Sequence, residues 1–394
     1  MFQNLRPQPQ DPILMLMDAF RSDPRPDKID LGVGVYRNEE GITPVMRAVK
    51  AAERRLLTEQ STKGYTGLNG DPAFLEAMTG LVLDNVVSSD RVAASATVGG
   101  TGAVRNGLDL MRRIQPDARL HIPSPSWPNH AAIGAEIRMP VSQYRYFDPV
   151  AGGLDFDGML ADLSAIPRGD IVLLHGCCHN PSGADPSPAQ WTQIIDLLHD
   201  TGVMVLVDLA YMGLGDGIAE DAAATRQLAA ALPELIIAVS CSKNFGLYRD
   251  RAGAVIVVTE GKTQRDLVSG TLATLNRLAY SFPADHGAKV VESILNDPEM
   301  RQDWLEELTQ MRVRINSLRR DLSLTLRDVT GSDRFAFFNA QKGMFSLLPA
   351  TPGQVQQLRE DYAVYMVGDG RMNIAGLTDR QIPALAHAIK AVCG

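Results

Sequence analysis

The middle of the chain repeats one pattern, in which a short apolar run is followed by a loop with Gly or Pro and then by a helical stretch. Several runs are apolar throughout instead of alternating, which is typical of strands buried on both faces of a parallel sheet. Strands that alternate with helices in this way predict an α/β layer fold. We expect strands at Val92–Val98, Ile171–His175, Val203–Val207, Leu235–Ser240 and Ala254–Val258, and helices that include Ala103–Ile114 and Pro188–Asp200.

The segments that flank this middle part have a different pattern. From about Pro298 the chain becomes strongly helical, in one long amphipathic stretch. Beyond it we expect a small α/β unit with strands near Phe335–Phe338, Met344–Leu348 and Val364–Val367, closed by a helix from Thr378. The first residues are rich in Pro and polar side chains, which favours an arm that needs a partner surface to become ordered.

Composition and charge argue against several classes of protein. With 394 residues, of which 45% are hydrophobic and 21% charged, the chain is typical of a soluble globular enzyme. The net charge of -8 and the lack of a basic stretch argue against a nucleic-acid partner. The N-terminus lacks a secretory signal, and the longest apolar runs are far too short to span a bilayer. The four cysteines do not form a disulfide framework, so we expect a reducing cytoplasm.

A lysine that follows an apolar strand is the strongest candidate for chemistry. Lys243 lies in the segment SCSKNFGLYRDRAG, which begins at Ser240. At such a strand end the amine can be desolvated and surrounded by cations, here Arg249 and Arg251, and both effects lower its pKa and favour Schiff-base chemistry. A loop lysine is usually a solvated surface residue, but the Ser-x-x-Lys spacing, the later arginine and two glycines favour the reactive interpretation.

Two further motifs follow predicted strands. VGGTGA, from Val98 to Ala103, places glycines at the start of a helix, where free N–H groups suit an anion. Tight packing explains such a turn about as often, and neither a Walker loop nor a dinucleotide fingerprint is present. Asp208 ends an apolar strand, and Tyr211 follows it. A carboxylate there needs a partner, which is either a protonated pyridine nitrogen or a structural contact such as a helix N-terminus.

The segment HGCCHNPSGAD contains residue types that bind metals. Successive side chains on a strand point to opposite faces, so its two histidines and two cysteines cannot easily converge on one ion, and we expect no metal. The turn after the strand instead suits a loop that presents Asn180 to a ligand. The four residues weighed as ligands are His175, Cys177, Cys178 and His179.

Three more side chains suit a planar cofactor or a carboxylate substrate. Trp127, between prolines in PSWPNH, can stack on a planar ring, although a buried structural tryptophan is the simpler interpretation of the motif alone. Arg371 in GRMNIAG can bind a carboxylate through two hydrogen bonds, and so can Arg277 in NRLAYSFP. A lone arginine, however, is usually a solvated surface residue.

Together these motifs resemble the class I aminotransferases, and specifically their aspartate and aromatic amino acid branch. The likeness extends essentially from end to end, with motifs in the same order and spacing. It implies the fold type I of enzymes that use pyridoxal 5'-phosphate (PLP): a large domain with a mainly parallel sheet between helices, and a smaller α/β domain built from both termini. We expect the large PLP-binding domain at residues 46–309, and the small domain with its arm at 1–45 and 310–394. The family is a homodimer with shared active sites.

The resemblance also implies a role for individual residues. Lys243 matches the lysine that bonds the cofactor covalently and moves the proton at the substrate α-carbon. Asp208 matches the partner of the pyridine nitrogen, with His130 behind it, while Tyr211 and Asn180 match the residues that hydrogen-bond the phenolic oxygen. The other cofactor residues are a ring-stacking tryptophan, a phosphate cradle and a tyrosine that reaches the neighbouring subunit's phosphate: Trp127; Gly100, Thr101, Ser240 and Arg251; and Tyr65.

Substrates bind, according to the same resemblance, through two arginines. Arg371 matches the clamp on the α-carboxylate, assisted by the backbone at Gly34, and Arg277 matches the arginine that reaches across the dimer to a side-chain carboxylate. Trp127 and Asn180 also border the substrate. The amine donor leaves as a 2-oxo acid and a second 2-oxo acid collects the amino group, which is a ping-pong cycle.

Departures from the aspartate enzymes bear on the substrate. Phe282, Pro283 and Ala284 stand where many of those enzymes have Asn-Pro-Pro, and Gly64 stands where a larger polar residue is common. An aromatic residue and a glycine suit a pocket that rearranges around a large apolar side chain. We therefore expect transfer from aromatic or acidic L-amino acids to 2-oxoglutarate, with an aspartate aminotransferase of little aromatic activity as the alternative. Other positions match the aspartate type: Val35, Thr43 and Thr101.

Two rival classes fit parts of the sequence. One is another PLP reaction on the same fold, such as decarboxylation or β-elimination, but Arg277 favours transfer between dicarboxylic acids. The other is a non-catalytic regulator with an aminotransferase-like domain. Such proteins carry an added DNA-binding module, for which the short N-terminal part leaves no room.

Overall fold

The structure is a computed structural model that describes residues 2–7 and 10–394. The predicted N-terminal arm is thus described only in part, since Met1, Gln8 and Pro9 lie outside the described residues. The strands are β1 Ile29–Asp30, β2 Val92–Val98, β3 Leu120–Ser124, β4 Val141–Arg145, β5 Phe147–Asp148, β6 Gly153–Leu154, β7 Ile171–His175, β8 Met204–Leu209, β9 Leu235–Ser240, β10 Ala252–Val258, β11 Phe345–Leu347, β12 Val364–Tyr365 and β13 Arg371–Asn373.

The helices flank these strands throughout the chain. The α-helices are α1 Pro12–Ser22, α2 Arg47–Glu59, α3 Pro72–Leu83, α4 Gly99–Ile114, α5 Pro128–Glu136, α6 Phe156–Ser164, α7 Pro188–Thr201, α8 Ile218–Ala231, α9 Lys262–Ala279, α10 His286–Asn296, α11 Pro298–Thr330, α12 Phe337–Ala340, α13 Pro352–Tyr362 and α14 Ile382–Cys393. Short 3-10 helices span Phe2–Asn4, Ser89–Arg91, Asp333–Phe335, Ile374–Gly376 and Asp379–Gln381.

A seven-stranded sheet lies at the centre, in the order β2-β10-β9-β8-β7-β3-β4. Neighbouring strands are parallel except at β10, which runs antiparallel to β2 and β9. Along β8, Val205 and Val207 belong to one hydrophobic cluster and Leu206 to another, because successive side chains point to opposite faces. Both faces are therefore buried, and the predicted α/β fold with a mainly parallel sheet between helices is confirmed.

The bounds of the central strands agree closely with the prediction. β2, β7 and β9 begin and end as expected, while β10 begins two residues early, at Ala252. The strand expected at Val203–Val207 runs from Met204 to Leu209, so Asp208 is part of it. Helix α4 begins at Gly99 instead of Ala103, which makes the glycines of VGGTGA its first turn.

Chain segments from both ends meet in a smaller α/β unit. β1 pairs in parallel with β12, and β11 pairs antiparallel with β13. A separate hydrophobic cluster joins Ile29 and Leu31 to residues of α11, α13 and α14. Helix α11 connects the two cores, because its residues up to Ile315 pack in the cluster of the central sheet and those from Leu318 pack in the smaller one.

The prediction of a strand near Phe335–Phe338 is wrong, since Asp333–Phe335 is a 3-10 helix and Phe337–Ala340 is an α-helix. Phe335 and Phe338 are both buried, and their rings stack with centroids 6.2 Å apart. A spacing of three residues places both on one helical face. Over so short an apolar run, periodicity does not separate a helix from a strand. The two later strands are present but shorter than predicted, and the last α-helix begins at Ile382.

A buried arginine on α11 fixes the segment that leads into β11. Arg319 is 1% exposed and has no carboxylate partner among the residues that the structure describes. It donates hydrogen bonds of 2.6 to 3.3 Å to four backbone oxygens and one hydroxyl, which belong to Phe338, Lys342, Gly343, Phe345 and Ser346. One guanidinium therefore satisfies carbonyls of the segment between α12 and β11 and of its two ends, which would otherwise be buried without donors.

We predict that Arg319→Leu lowers the free energy of unfolding by ~3–5 kcal/mol, because several buried carbonyls lose their donor at once. Denaturant unfolding followed by circular dichroism measures the loss. The neighbouring Arg320, which is exposed and pairs with Asp321, gives the matched control. Arg320→Leu should change stability by no more than about 0.5 kcal/mol. Equal losses in the two variants would contradict this account of Arg319.

Candidate active site

Polar side chains gather at the edge where the central parallel strands end. His175 and Ser240 are the last residues of β7 and β9, and Asp208 is the last but one of β8. His175 and Asp208 are paired in register, and Lys243 follows in the turn after β9. Because ligands of open α/β sheets bind outside the carboxyl ends of the strands, this edge is the candidate active site.

Asp208 is the buried carboxylate of this edge. Its Oδ2 lies 3.0 Å from His130 Nε2, and His130 Nδ1 lies 2.8 Å from Ser126 Oγ. Burial acts to raise the pKa of Asp208, but the hydrogen bond and charge of His130, with the charge of Lys243, outweigh burial and lower the pKa. No donor from the described part of the chain reaches Oδ1. The carboxylate therefore stays charged and keeps one oxygen free for a cationic ligand group.

Lys243 carries an amine of reduced basicity. Burial, assisted by the positive charges of Arg251 and Arg371, lowers its pKa to about 8, although Asp208 acts in the opposite direction. Its Nζ lies 5.3 Å from the centroid of the Tyr211 ring. The lowered pKa agrees with the expectation from sequence, but Arg371 replaces Arg249 as the second cation. Near neutral pH a useful fraction of this amine is unprotonated and able to act as a nucleophile.

Asn180 and Tyr211 form a hydrogen-bonded pair next to these charges. Asn180 Nδ2 donates to the Tyr211 hydroxyl at 3.2 Å, and both side chains are buried. Asn180 Oδ1 has no hydrogen-bond partner in the described residues. Burial raises the pKa of Tyr211 above its usual range, so the phenol stays neutral and can donate its proton to a ligand oxygen.

The start of α4 is open to an anion. Helix α4 begins at Gly99 without a side-chain cap, so the N–H groups of Gly100 and Thr101 remain free for a ligand. A Cβ atom at Gly100 would lie only 2.9 Å from the Cβ of Ser240, which shows how closely the end of β9 approaches the helix. Glycine here permits that approach and keeps the helix N-terminus accessible.

The guanidinium of Arg251 lies against the same helix start. A Cβ atom at Gly99 would be 2.6 Å from Arg251 Nη2. Arg251 Nη1 donates to Ser242 Oγ at 3.3 Å and to the backbone oxygen of Tyr248 at 3.1 Å. Within the described chain no carboxylate pairs with it. A cation without a counter-ion beside a free helix N-terminus and the Ser240 hydroxyl suits a phosphate group.

Trp127 lies next to these residues, at the start of α5. It precedes Pro128, the first residue of the helix, and its ring packs edge-on against His130 with centroids 5.1 Å apart. The side chain is partly exposed, in contrast to a wholly buried structural tryptophan. A stiff indole beside the His130–Asp208 pair suits a planar aromatic ligand.

Arg371 brings the smaller unit to the site. It is 5% exposed, donates from Nη2 to the backbone oxygen of Gly32 at 3.2 Å, and lies 4.8 Å from the ring centroid of Phe345. Its Nε has no partner in the described residues. A Cβ atom at Gly34 would be 2.8 Å from Phe345 Cζ, so the backbone at Gly34 passes over the same ring. A buried guanidinium without a carboxylate favours an anionic ligand at this position.

Two of the predicted site residues lie apart from this group, on the surface of the chain. Tyr65 is 87% exposed and stacks on Phe282, with centroids 4.6 Å apart. Arg277, on α9, is exposed and donates to Ser281 Oγ. Neither has a described hydrogen bond, ion pair or ring contact with the other predicted site residues. Within a single chain the structure thus does not bring them into the pocket.

The histidines and cysteines of HGCCHNPSGAD do not lie together as one ligand set. Among the described residues, the group close enough to hold a metal is Cys177, Cys178 and Asp221, whose ligand atoms lie within 4.8 Å of one another. The Asp221 carboxylate accepts three backbone N–H groups at 2.8–2.9 Å, from Gly213, Gly215 and Asp216. It serves as a clamp on that loop. The hydrogen bond with the neighbouring Cys178 thiol, together with burial, raises the pKa of Cys177, which disfavours the thiolate that a metal requires.

Several residues of the site had no signal in the sequence. Phe345 contacts Gly34 and Arg371 and packs edge-on against Tyr211. In the sequence, however, an aromatic residue in a short strand predicts only a residue of the hydrophobic core. Ser126 orients His130 from within PSWPNH, a motif in which only Trp127 and His130 were predicted site residues. Asn373 donates to the backbone oxygens of Val33 and Val35 and so fixes the segment that contains Gly34.

Comparison with known proteins extends these observations. The family described as "Aminotransferase class I and II" matches residues 26–389. The chain is 52% identical, over 99% of both chains, to an aromatic-amino-acid aminotransferase of Paracoccus denitrificans. It is 41% identical, over the full length of both, to an aspartate aminotransferase of Escherichia coli K12. A solved structure of an aromatic-amino-acid aminotransferase from Burkholderia pseudomallei, covalently bound to pyridoxal phosphate, superposes with a TM-score of 0.97, 39% identity and full coverage of both chains.

The pocket fits pyridoxal phosphate group by group. Asp208 offers a charged oxygen for a protonated ring nitrogen, Asn180 and Tyr211 offer donors for a phenolic oxygen, and Lys243 offers an amine for an aldehyde. The free N-terminus of α4 and the unpaired Arg251 match the phosphate in charge and hydrogen bonding. In the described residues we find no helix of the length and hydropathy needed to cross a membrane.

A family match over most of the chain, a full-length relative with 52% identity, and a site whose donors and charges fit the cofactor lead to the same result. The chain belongs to the aminotransferase class I and II family, and it is a PLP-dependent aminotransferase of fold type I.

Proposed function

We propose that this enzyme transfers the amino group of aromatic and acidic L-amino acids to 2-oxoglutarate in a ping-pong cycle. Relatives named for aromatic amino acids and for aspartate both align over almost the whole chain. The observation that carries the proposal is the buried Arg371, which has no counter-ion among the described residues and suits the α-carboxylate that all these substrates share. An aspartate aminotransferase with little aromatic activity is the alternative.

The cofactor residues have separate tasks in this proposal. PLP, when bound, supplies an electron-accepting ring, and a positive charge on its nitrogen increases that capacity. Asp208 holds a proton at this nitrogen, and His130 orients the carboxylate. Trp127 would stack on one face of the ring. The phosphate group is held by the start of α4 and by side chains next to it: Gly100, Thr101, Ser240 and Arg251.

Lys243 has two tasks, which the same lowered pKa supports. Its neutral amine would hold the cofactor covalently, and the same amine would carry the proton to and from the substrate α-carbon. An amine with a pKa of about 8 both takes and returns a proton near neutral pH. Asn180 and Tyr211 hold the phenolic oxygen, and Tyr211 also lies beside the Lys243 amine. Lys243, Asp208 and Tyr211 are thus the proposed catalytic residues.

The substrate lies between the two units of the fold in this proposal. Arg371 binds the α-carboxylate through its guanidinium, and the backbone at Gly34 lines the same position across the ring of Phe345. Trp127 and Asn180 border it from the large domain. We retain the division into a large domain at 46–309 and a small domain at 1–45 and 310–394 as a proposal, supported by the separate hydrophobic cluster that joins Ile29 and Leu31 to residues from Leu318 onward.

We also propose that two chains assemble into a homodimer with shared sites, located in the cytoplasm. Tyr65 and Arg277 match residues of the family's active site, but both are exposed on the surface of a single chain. Such positions suit residues that complete the active site of the partner subunit. Large apolar side chains on the same segments are exposed as well, namely Leu57, Leu267 and Leu278, at 86%, 68% and 74%. Exposed apolar area of this kind favours an interface.

Dual specificity follows from what surrounds Arg277. The stack of Tyr65 on Phe282 places two aromatic rings close to the Arg277–Ser281 contact. If this surface faces the partner's substrate, a side-chain carboxylate pairs with Arg277, whereas an aromatic side chain packs against the rings. Gly64, next to Tyr65, leaves space beside the stack, since no atom lies closer than 3.4 Å to a Cβ placed there.

We predict that cofactor-free protein binds PLP covalently at Lys243, at a rate that follows the neutral amine. A pKa of about 8 means that the amine is protonated below this pH, so the rate should rise roughly tenfold between pH 6 and 7 and level off above about pH 9. Visible absorbance measures the rate, and borohydride reduction with peptide mapping locates the bond. Lys243→Ala should lose covalent binding and at least ~10²-fold in turnover, whereas the exposed Lys50→Ala should not. Label on another lysine would refute the assignment.

We predict that Arg277→Ala weakens the half-reactions of aspartate and glutamate by ~2–5 kcal/mol, because a desolvated carboxylate loses its partner. Phenylalanine and tyrosine should change far less, since an apolar ring makes no use of the guanidinium. Single-turnover absorbance changes measure each amino acid separately, without a dicarboxylic acceptor that would mask the difference.

Two variants control this experiment. Lys262→Ala removes an exposed cation at the other end of α9 and should leave both substrate classes unchanged. Arg277→Lys keeps the charge but loses the paired hydrogen bonds, so it should restore acidic substrates only in part. Equal losses for aspartate and phenylalanine in Arg277→Ala would show that Arg277 does not read the second carboxylate.

A further inference from the structure

The loop that carries Asn180 is held by a carboxylate that has no task in the proposed chemistry. This loop, residues 176–183, connects β7 to the segment before α7. Asp185 Oδ2 accepts the backbone N–H of Cys178 at 2.6 Å, and Asp185 Oδ1 accepts that of His179 at 2.8 Å. Both oxygens of one side chain therefore bind the two peptide groups that immediately precede Asn180.

These two hydrogen bonds, which we call the Asp185 clamp, act on a strained part of the backbone. Cys178 has a φ of +52°, a left-handed conformation that costs a residue with a side chain about 1 kcal/mol or more. Such a conformation persists only when its surroundings fix it. Asp185 supplies two charge-assisted hydrogen bonds at this point, which are stronger than those between neutral groups. Without them, residue 178 would be expected to relax and to move the residues that follow.

An ion pair does not account for the buried position of the Asp185 carboxylate. No Lys, Arg or His of the described chain forms a salt bridge with it, and the cations that influence it from other elements are Lys342 and Arg319. The other ionisable groups that face it are Asp221, Tyr146, Cys177 and Cys178. Burial raises the pKa of Asp185 to about 6, against the effect of the two backbone hydrogen bonds. An isolated carboxylate is costly in this position, so its hydrogen bonds to the loop are its evident purpose.

The loop meets both halves of the site. On the cofactor side, the backbone N–H of Asn180 donates to His175 Nδ1 at 3.4 Å, and its side chain donates to Tyr211. On the substrate side, Gly183 accepts the N–H of Lys342 at 2.7 Å and approaches the Phe345 backbone so closely that a Cβ atom would collide with it. A shift of this loop therefore disturbs the segment that carries Phe345 as well as Asn180.

We infer that Asp185 is a positioning residue, which fixes the loop 176–183 so that the Asn180 amide reaches the phenolic oxygen of the cofactor. The inference rests on the proposed role of Asn180. A donor at that oxygen stabilises its negative charge, and it thereby weakens the hold of the oxygen on the proton of the neighbouring Lys243–cofactor linkage. Loss of the donor should raise the pH at which this linkage releases its proton.

Cofactor-free protein tests the clamp by itself. In Asp185→Asn, one oxygen is replaced by a donor, so one of the two backbone N–H groups loses its acceptor. Hydrogen exchange of peptides that cover residues 176–184 should become at least about tenfold faster than in the wild type. Asp155→Asn is the matched control, because Asp155 also accepts a backbone N–H, that of Gly158, at a helix start without assigned site residues. Unchanged exchange in 176–184 would overturn the inference.

Holoenzyme tests the consequence for the cofactor. The absorbance titration of the Lys243-linked cofactor should shift upward by about one pH unit in Asp185→Asn and stay unchanged in Asp155→Asn. If Asp185→Asn does not fold, Asp185→Ser keeps one acceptor and gives the same comparison. Faster exchange without a shifted titration would overturn the positioning role. Cofactor linked to a lysine other than Lys243 would instead refute the proposed function, so the two failures are distinguishable.

Discussion

The contact between Asp208 and His130 is the interaction on which the site depends. A carboxylate at the end of a buried strand would ordinarily take up a proton, because burial favours its neutral form. The 3.0 Å hydrogen bond with His130, itself held by Ser126, keeps Asp208 charged. Asp208 can hold its position because β8 is fixed by strands on both sides and by apolar clusters on both faces. The sheet thus supplies the rigidity, and His130 supplies the charge state.

The guanidinium groups of Arg251 and Arg371 suit anionic ligands. Arg251 and Arg371 have no carboxylate partners in the described residues, and both help to lower the pKa of Lys243. The protein therefore carries uncompensated positive charge at the places where a phosphate and a substrate carboxylate would bind. The same charge makes Lys243 a better nucleophile near neutral pH. The arginines that would bind the two anionic groups are thus also the cations that lower the pKa of the Lys243 amine, and Asp208 acts on this pKa in the opposite direction.

Much of the fold and of the pocket could be predicted because the signals are local. Apolar runs fixed β7 and β9 to the residue, and motifs that follow strands placed Asp208, Asn180 and Lys243 at one edge of the sheet. The strand near Phe335–Phe338 failed because four apolar residues do not distinguish a helix from a strand. Contacts between residues far apart in the sequence, such as that of Phe345 with Gly34, could not be predicted, because they leave no local pattern in the sequence. Tyr65 was assigned by resemblance alone, and the role of Arg277 across the dimer came from the same resemblance. A single chain leaves both on its surface.

We propose above all that Asp208 keeps the ring nitrogen of the cofactor protonated. Nitrogen NMR of enzyme loaded with PLP labelled at this atom measures that proton directly, in the wild type and in Asp208→Asn. We predict a protonated nitrogen in the wild type over the whole range from about pH 6 to 9, and a deprotonated one in Asp208→Asn, where the negative charge is gone. A nitrogen that is protonated to the same extent in both proteins would contradict the account, because Asp208 would then be a structural residue of the strand end.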